Sequence, residues 1–277
     1  MNGQSPARIA CVQMDVVQGN VGQNLDTAQR MIEQACQNGA NLLVLPEMYN
    51  TGCVFDRRSD VFALAEAVPN GRSSRMLENI ARKHGIYIVA SLVEKEENDL
   101  FNTAILVGPD GFVGKYRKLH PCEDEVYWVE PGNLGLPVFH TRIGRIGVII
   151  CLDAYYPETF RILALQGADL SVSHPTGVTS RKHALYRILI GQWLLYCAWR
   201  MLIVAGTNRV GQTGKMKFPG QSIIVGPWGN PIAGPGLMKE GVIYADVDLC
   251  DSRRKYFHPT NSRLANRRID VYSYDLG

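Results

Sequence analysis

The chain contains an internal repeat: four short segments of its first part return in the same order, offset by 115 to 137 residues. The paired segments are RIACVQMD (8–15) with RIGVIICLD (145–153), GANLLVLPE (39–47) with GADLSVSHP (167–175), IVAS (88–91) with IVAG (203–206), and AILVGPDGFVG (104–114) with SIIVGPWGNPIAG (222–234). A fixed order with drifting offsets is typical of a duplicated unit whose loops differ in length. We therefore predict two structurally equivalent halves, at about 8–118 and 145–250, rather than unrelated units of similar composition.

Each half has the pattern of strand, helix, strand, helix and hairpin. Three apolar runs are too short for helices and have the β-branched composition of buried strands, namely NLLVL, IYIVAS and MLIVAG. In the first helix, apolar residues recur at helical spacing from Leu25 to Ala35, and the pattern predicts Asn24 as its N-cap and Gly39 as its end.

Halves of this kind cover one face of a sheet with their own helices and leave the other face bare. Stacking the two bare faces buries both. The sequence therefore predicts an α/β (α+β) fold, a four-layer αββα sandwich of two mixed sheets with a pseudo-two-fold internal repeat. We expect a single domain over 1–277, with a core at 8–248 and a tail at 249–277 that acts as an arm between subunits.

The amino-acid composition limits which kinds of binding partner the protein has. The 277 residues carry a net charge of +3 with both signs interspersed, which argues against a nucleic-acid or membrane-surface protein. No apolar run approaches the roughly 18–20 residues of a membrane span, and the start of the chain lacks an apolar signal core, so we expect a cytoplasmic protein. The seven cysteines are scattered without Cys-x-x-Cys spacing, which predicts reduced thiols rather than a disulfide framework or a zinc site. We expect no metal and no cofactor.

Three predicted strand ends carry reactive side chains. Glu47 follows NLLVLP, Lys118 follows the hairpin strand of FVGKYRK, and Cys151 follows GVII. Active sites of α/β proteins lie at strand ends, where loops meet on a rigid scaffold. Each residue alone has a more ordinary interpretation, since such cysteines usually fill the core and such charges usually face solvent.

Together, a thiol, a carboxylate and an ammonium suit acyl transfer. A free thiol has a pKa near 8.5, so Cys151 needs a base, which Glu47 supplies before returning the proton to a departing amine. Lys118 and the backbone N–H of Leu152 would stabilise the oxyanion. A Cys-His hydrolase using His120 or His174 is an alternative.

The motifs PEMYNTG, KYRKLHP and CLDAYYPE resemble the three signature blocks of the carbon–nitrogen hydrolase (nitrilase) superfamily, in the order that family has them. EPG (130–132) and GTNRVG (206–211) are further similarities, and the resemblance extends from about residue 8 to 248. It implies the αββα fold reached above from the repeat.

The resemblance also implies a Glu-Lys-Cys triad at Glu47, Lys118 and Cys151. A second glutamate of the family usually precedes the Pro-Gly that follows the lysine block. Glu125 has that place, seven residues before Gly132, with Glu123 and Glu130 as competitors. This glutamate would orient the lysine.

The two residues after the predicted nucleophile indicate which branch of this family the chain resembles. True nitrilases typically have Trp-Glu there, whereas this chain has Leu152-Asp153, as in the amidase and carbamoylase branches. We predict a cysteine-dependent amidohydrolase that converts a small linear amide to a carboxylic acid and ammonia through a thioester. An N-carbamoyl amino acid or amine amidohydrolase is the alternative, and a nitrilase is third. The segment YCAWR (196–200) departs from the Arg-Ala-x-Glu-Asn string of many relatives, so subfamily specificity does not transfer.

Position in the chain predicts the substrate contacts Tyr49, Leu152, Tyr155, His174 and Thr176, with packing inside the protein as an equal alternative for the side chains. Arg181 and Lys182 open the apolar helix SRKHALYRILIGQWLLYCAW, and they would suit a carboxylate-bearing substrate if they face the pocket. The apolar surface of that helix predicts a homodimer or higher homo-oligomer. Two other functional classes remain open: an inactive scaffold and an amidase domain serving a larger enzyme.

Overall fold

Two six-stranded mixed sheets form the centre of the molecule. The computed structural model describes residues 6–174 and 202–272. Its strands are β1 (Ala7–Gln13), β2 (Leu42–Val44), β3 (Tyr87–Glu96), β4 (Asp99–Gly108), β5 (Gly111–Arg117), β6 (Val138–His140), β7 (Arg145–Ile150), β8 (Leu170–His174), β9 (Ile203–Gly206), β10 (Val210–Thr213), β11 (Met216–Pro219), β12 (Ile223–Val225), β13 (Pro231–Ala233), β14 (Gly241–Val247), β15 (Tyr256–His258) and β16 (Asn261–Ser262). Its α-helices are α1 (Val21–Gln37), α2 (Arg58–Leu64), α3 (Arg72–His84), α4 (Pro157–Leu165) and α5 (Ile269–Tyr272).

The two sheets have the same topology. The first has the order β14-β1-β2-β3-β4-β5 and the second, read from its other edge, has β6-β7-β8-β9-β12-β13. In both, three parallel strands are followed by an antiparallel hairpin (β1-β2-β3 then β4-β5; β7-β8-β9 then β12-β13). The paired sequence segments occupy equivalent strands, so the predicted duplication and the two mixed sheets are confirmed.

The sixth strand of each sheet comes from the other part of the chain. Strand β6 follows the β4-β5 hairpin of the first sheet but pairs with β7 of the second sheet, whereas β14 follows the β12-β13 hairpin of the second sheet and pairs with β1 of the first sheet. The exchange ties the two sheets together covalently at their edges. The repeat did not predict it, because neither edge strand belongs to a repeated segment.

The sheets bury their facing sides against each other. Alternating residues of β1 point to opposite faces, as the two-residue period of a strand requires. Ile9 and Cys11 join a core shared with Val148 and Val172 of the second sheet. Ala10 and Val12, on the opposite face of β1, join a second core with residues of α1 and α3. Helix α4 packs on the second sheet through Leu163, which completes the four layers.

The start of α1 differs from the sequence prediction. The helix begins at Val21, and the side chain of Asn20 caps it by accepting a hydrogen bond from the backbone N–H of Gln23 at 3.2 Å. The predicted cap, Asn24, is wrong: its side chain is buried and bridges the carbonyl oxygens of Val17 and Asn50. An asparagine inside an amphipathic helix therefore fixes a neighbouring loop here.

Two further features concern the predictions from composition. In the described parts of the chain, no helix is both long and apolar enough to cross a membrane. The six described cysteines form no disulfide with one another. The predicted long helix at 180–199 lies outside the described residues, and so do Arg181 and Lys182.

Candidate active site

The ends of β2 and β5 bring a carboxylate and an ammonium group together inside the protein. Glu47 lies three residues after β2, and Lys118 directly follows β5. Lys118 Nζ donates a hydrogen bond to Glu47 Oε1 at 2.9 Å, and the two side chains are only 2% and 3% exposed. Two side chains that are 71 residues apart in the chain therefore form a buried ion pair.

A second carboxylate completes this cluster. Glu125 lies in a short 3-10 helix (Glu123–Tyr127), and its Oε2 accepts a hydrogen bond from Lys118 Nζ at 2.5 Å. The same oxygen accepts the backbone N–H of Cys122 at 2.8 Å. Of the three candidate glutamates, Glu125 is the one that contacts the lysine. Glu123 is exposed at the cavity, and Glu130 pairs with Arg58 at 3.2 Å.

The residue that joins the two glutamates was not predicted from the sequence. Asn102 of β4 is buried, and its Nδ2 donates to Oε1 of both Glu47 and Glu125 at 2.7 Å. Its Oδ1 accepts from the Ser91 hydroxyl at 2.8 Å, which fixes the amide orientation. A polar side chain within the apolar strand LFNTAILV was the available signal, since a buried amide needs partners.

The charges of this cluster depend on one another. Burial is the largest influence on Lys118 and lowers its pKa, but the charges of Glu47, Glu125 and Cys151 together raise the pKa well above its usual value. Burial raises the pKa of Glu125, Lys118 lowers it and Glu47 raises it, with a net upward shift. The ammonium therefore stays charged, and Glu125 takes up a proton more readily than an exposed glutamate.

Close packing against the backbone at Lys118 explains the glycine of the Pro-Gly pair that follows the lysine block. Gly132 donates its backbone N–H to the carbonyl oxygen of Lys118 at 2.8 Å. A Cβ at this position would lie 2.1 Å from the carbonyl oxygen of Arg117, far inside contact distance. The chain can pass this close to the lysine only with glycine at position 132.

Cys151 follows β7 at a sharp bend. It begins a short 3-10 helix (Cys151–Tyr155), and its φ of 47° lies in the left-handed region that side chains other than glycine rarely adopt. Such backbone conformations persist only where surrounding contacts hold them, and they are concentrated at functional sites.

Cys151 lines the same cavity as the buried charge cluster. The cavity has a volume of about 210 Å³. Its described lining residues are Glu47, Met48, Cys53, Val54, Phe55, Asp56, Lys118, Cys122, Glu123, Asp124, Glu125, Trp128, Cys151, Met216 and Phe218. Two other thiols therefore face this space. Burial raises the pKa of Cys53 to about 12 and that of Cys122 to about 11.

Four of the five predicted substrate contacts fall within the described residues, and their surroundings differ. Tyr49 is fully buried in the core beneath the first sheet. His174 is also buried, and its Nδ1 donates to the carbonyl oxygen of Leu45 at 2.6 Å. Tyr155 is 40% exposed, and burial together with the charge of Cys151 raises its pKa to about 12. None of these three, nor Leu152, is among the described residues that line the cavity, and Thr176 lies outside the described residues.

The two histidines of the alternative Cys-His arrangement are held by other partners. Burial lowers the pKa of His174 to about 4, so that it is neutral at pH 7. His120 Nδ1 donates to Asp153 Oδ1 at 2.7 Å, and its ring stacks on Tyr156 with 3.8 Å between ring centroids. Neither is among the described residues of the cavity wall.

Known proteins resemble this chain in sequence and in fold. Residues 8–255 match the carbon-nitrogen hydrolase family. A nitrilase of Pyrococcus abyssi is 36% identical, with 96% of this chain and 98% of that protein covered. An N-carbamoylputrescine amidase of Solanum lycopersicum is 31% identical, with 91% and 89% covered. The crystal structure of a carbon-nitrogen hydrolase from Helicobacter pylori G27 superimposes with a TM-score of 0.89 at 26% identity and covers 98% of both chains.

These similarities extend over nearly the whole chain and include the fold as well as the sequence. The protein belongs to the carbon-nitrogen hydrolase family. It is accordingly a hydrolase that acts on carbon–nitrogen bonds other than peptide bonds, and the αββα fold predicted from the repeat is confirmed.

Proposed function

We propose that the protein is an amidohydrolase that uses Cys151 as nucleophile and passes through a thioester. The observation that carries the proposal is the single cavity of about 210 Å³ that Cys151 shares with Glu47, Lys118 and Glu125. A thiol, a general base and a buried cation around one small space are the groups that acyl transfer requires.

In the first half of the proposed reaction, Cys151 forms the acyl-enzyme. Glu47 takes the thiol proton while the sulfur attacks the carbonyl carbon of the amide. The ammonium of Lys118 and the backbone N–H of Leu152 stabilise the oxygen that becomes negative. When this intermediate collapses, the carbon–nitrogen bond breaks, the nitrogen takes the proton from Glu47, and ammonia leaves.

In the second half, water releases the acid. Glu47, again a carboxylate, takes a proton from water as its oxygen attacks the thioester carbon. The same donors stabilise the second oxyanion. Its collapse breaks the carbon–sulfur bond, and the proton held by Glu47 returns to the sulfur as the carboxylic acid departs. In this scheme Glu125 is a positioning residue, because it acts on the substrate only through Lys118.

The charge of the cavity wall favours an N-carbamoyl amine as a second candidate substrate. Five carboxyl groups line the cavity (Glu47, Asp56, Glu123, Asp124 and Glu125), and Lys118 is the one lysine or arginine among the described lining residues. Two opposite charges 6 Å apart attract by about 0.7 kcal/mol even in water, and by more in a partly closed cavity. A cationic substrate end therefore fits this wall better than a carboxylate.

Ammonia release from a matched set of substrates tests both proposals. The set is N-carbamoyl-1,4-diaminobutane, N-carbamoyl-4-aminobutyrate, butylurea and butyramide, which share a four-carbon chain and differ in end charge or reacting group. Cys151→Ala should abolish release from every substrate that the wild type hydrolyses. Retained turnover in this variant would overturn the cysteine mechanism. Carbamoyl hydrolysis gives carbon dioxide together with ammonia, whereas the amide gives ammonia and the acid.

The proposed preference for a cationic substrate is tested by comparing rates within this set. We expect the cationic carbamoyl compound to have the higher kcat/KM, and Asp56→Asn with Asp124→Asn to reduce that advantage over butylurea. An anionic compound that reacts faster than the neutral one would refute the cationic preference and leave the cysteine mechanism untouched.

The predicted homo-oligomer, with the 249–277 tail as its arm, stays a proposal. Light scattering on the full chain and on a chain ending at residue 248 would test it. An unchanged oligomer after truncation would argue against the arm.

A further inference from the structure

Asp153 joins the turn of Cys151 to the strand end of Lys118. It lies two residues after the cysteine and is completely buried. Its Oδ2 accepts the backbone N–H of Ile150 at 3.0 Å and the hydroxyl of Tyr116 at 2.7 Å. Its Oδ1 accepts the backbone N–H and the ring Nδ1–H of His120, at 3.1 and 2.7 Å. One carboxylate thus receives four hydrogen bonds from two separate segments.

These donors flank the two reactive groups. Ile150 immediately precedes Cys151, whereas Tyr116 and His120 lie two residues before and two residues after Lys118. The Tyr116 hydroxyl also accepts the backbone N–H of Leu119 at 3.3 Å. The backbone on both sides of the lysine is therefore tied to the carboxylate that closes the bend at the cysteine.

The strained backbone of Cys151 needs such support. A residue other than glycine persists in the left-handed region only when its surroundings hold it there. The Asp153 carboxylate supports the bend from the inside by accepting the backbone N–H of Ile150. The carbonyl oxygen of Asp153 accepts a further hydrogen bond, from the Thr159 hydroxyl at 2.9 Å. Asp153 is not among the described residues of the cavity wall, so it acts through its neighbours rather than on the substrate.

We propose that Asp153 is the positioning residue that sets the Cys151 sulfur against the Lys118 ammonium, with Tyr116 and His120 as its partners. The proposal deepens the proposed function, since it depends on Cys151 being the nucleophile. Loss of the carboxylate lets the two strand ends shift relative to each other. A misplacement of about 1 Å in a reacting group costs on the order of 100-fold in rate.

Asp153→Asn is the direct test, because asparagine keeps the shape and removes one acceptor. Whichever way its amide is turned, the NH₂ group faces two donors. Tyr116 can turn its hydroxyl or His120 can change tautomer, but the backbone N–H of Ile150 or of His120 is then left without an acceptor. We expect kcat to fall by roughly 10- to 100-fold with KM changed by less than about 3-fold. The rate of alkylation of Cys151 by iodoacetamide should fall with kcat.

Asp169 provides a matched control. It is also completely buried, and it accepts hydrogen bonds from Arg145 and Arg253. It lies at the opposite end of β7 and β8 from Cys151, roughly 20 Å away at about 3.3 Å per residue. Asp169→Asn should therefore lower the melting temperature while leaving kcat and the alkylation rate within about 2-fold of the wild type.

A second variant covers the case in which Asp153→Asn does not fold. Tyr116→Phe keeps the carboxylate and removes one of its four donors, so a smaller loss of kcat, of about 3- to 10-fold, should occur without a change in KM. The positioning role would be overturned if folded Asp153→Asn kept the wild-type kcat and alkylation rate. If Asp153→Asn does not fold, the same result in Tyr116→Phe would overturn it. Turnover by Cys151→Ala would instead overturn the proposed function, so the two failures are distinguishable.

Discussion

Replacing Lys118 with methionine tests the buried charge cluster most severely. The substitution removes an ammonium that contacts Glu47 Oε1 at 2.9 Å and Glu125 Oε2 at 2.5 Å, in a place where all three side chains are at most 8% exposed. Asn102 then remains as the described residue that bridges the two carboxyl groups, with each Oε1 2.7 Å from its Nδ2. Removing one partner from a buried ion pair typically costs about 3–5 kcal/mol, because a buried charge is left uncompensated.

The loss should depend on pH. The pKa of Glu125 is already raised by burial, and without Lys118, which lowers it, that pKa rises further. A carboxyl group whose pKa is higher in the folded than in the unfolded state favours folding while it is protonated and destabilises the fold as pH increases. Lys118→Met should therefore lose the full 3–5 kcal/mol at pH 8 and much less at pH 5.

Urea unfolding of the wild type and the variant at pH 5 and pH 8 measures this difference. Lys115→Met on the same strand is the control. Its partner Glu94 keeps a hydrogen bond from Arg117 at 2.8 Å, so the loss should be about 1 kcal/mol or less at both pH values. A Lys118→Met variant as stable as the control at pH 8, with no dependence on pH, would refute the ion cluster.

Two further predictions concern single side chains. Glu47→Gln should reduce kcat for ammonia release by roughly 10²- to 10⁴-fold with little change in KM, because the amide cannot act as general base; a loss confined to KM would argue against that role. Burial lowers the pKa of His174 from 6.5 to about 4, so the unfolded state binds more protons between those values and stability should fall by about 3 kcal/mol as pH decreases through them. His174→Gln should lack that part of the acid slope in urea unfolding, and an unchanged slope would contradict the assignment.

The fold could be predicted from the sequence because both halves repeat the same short local sequence patterns in the same order. Short β-branched runs and turn glycines depend on neighbours in the chain, so their order in both halves could be read directly. The exchanged edge strands β6 and β14 could not, since neither belongs to a repeated segment, and the partner of β14 lies at the other end of the chain. The same limit explains Asn24, whose polar side chain suits a helix cap locally but is used to hold the loop at Val17 and Asn50.

The sequence predicted the reactive groups of the candidate site but not the residues that hold these groups in place. Glu47, Lys118 and Cys151 were visible as reactive residues at strand ends, and Glu125 came from the resemblance to a family. Asn102 and Asp153 were not assigned, because the need for an acceptor or a donor arises only when distant segments meet. Predicted contacts such as Tyr49 were chosen by proximity in the chain, which does not determine the face a side chain occupies.

The most direct measurement of the central claim is to locate the covalent intermediate. The wild type and Glu47→Gln are mixed with a hydrolysed substrate and quenched in acid, and their peptides are mapped by mass spectrometry. We predict an added mass equal to the acyl group on the Cys151 peptide, which accumulates if the variant releases the thioester slowly. An acyl group on Cys53 or Cys122, or turnover by Cys151→Ala, would contradict the account.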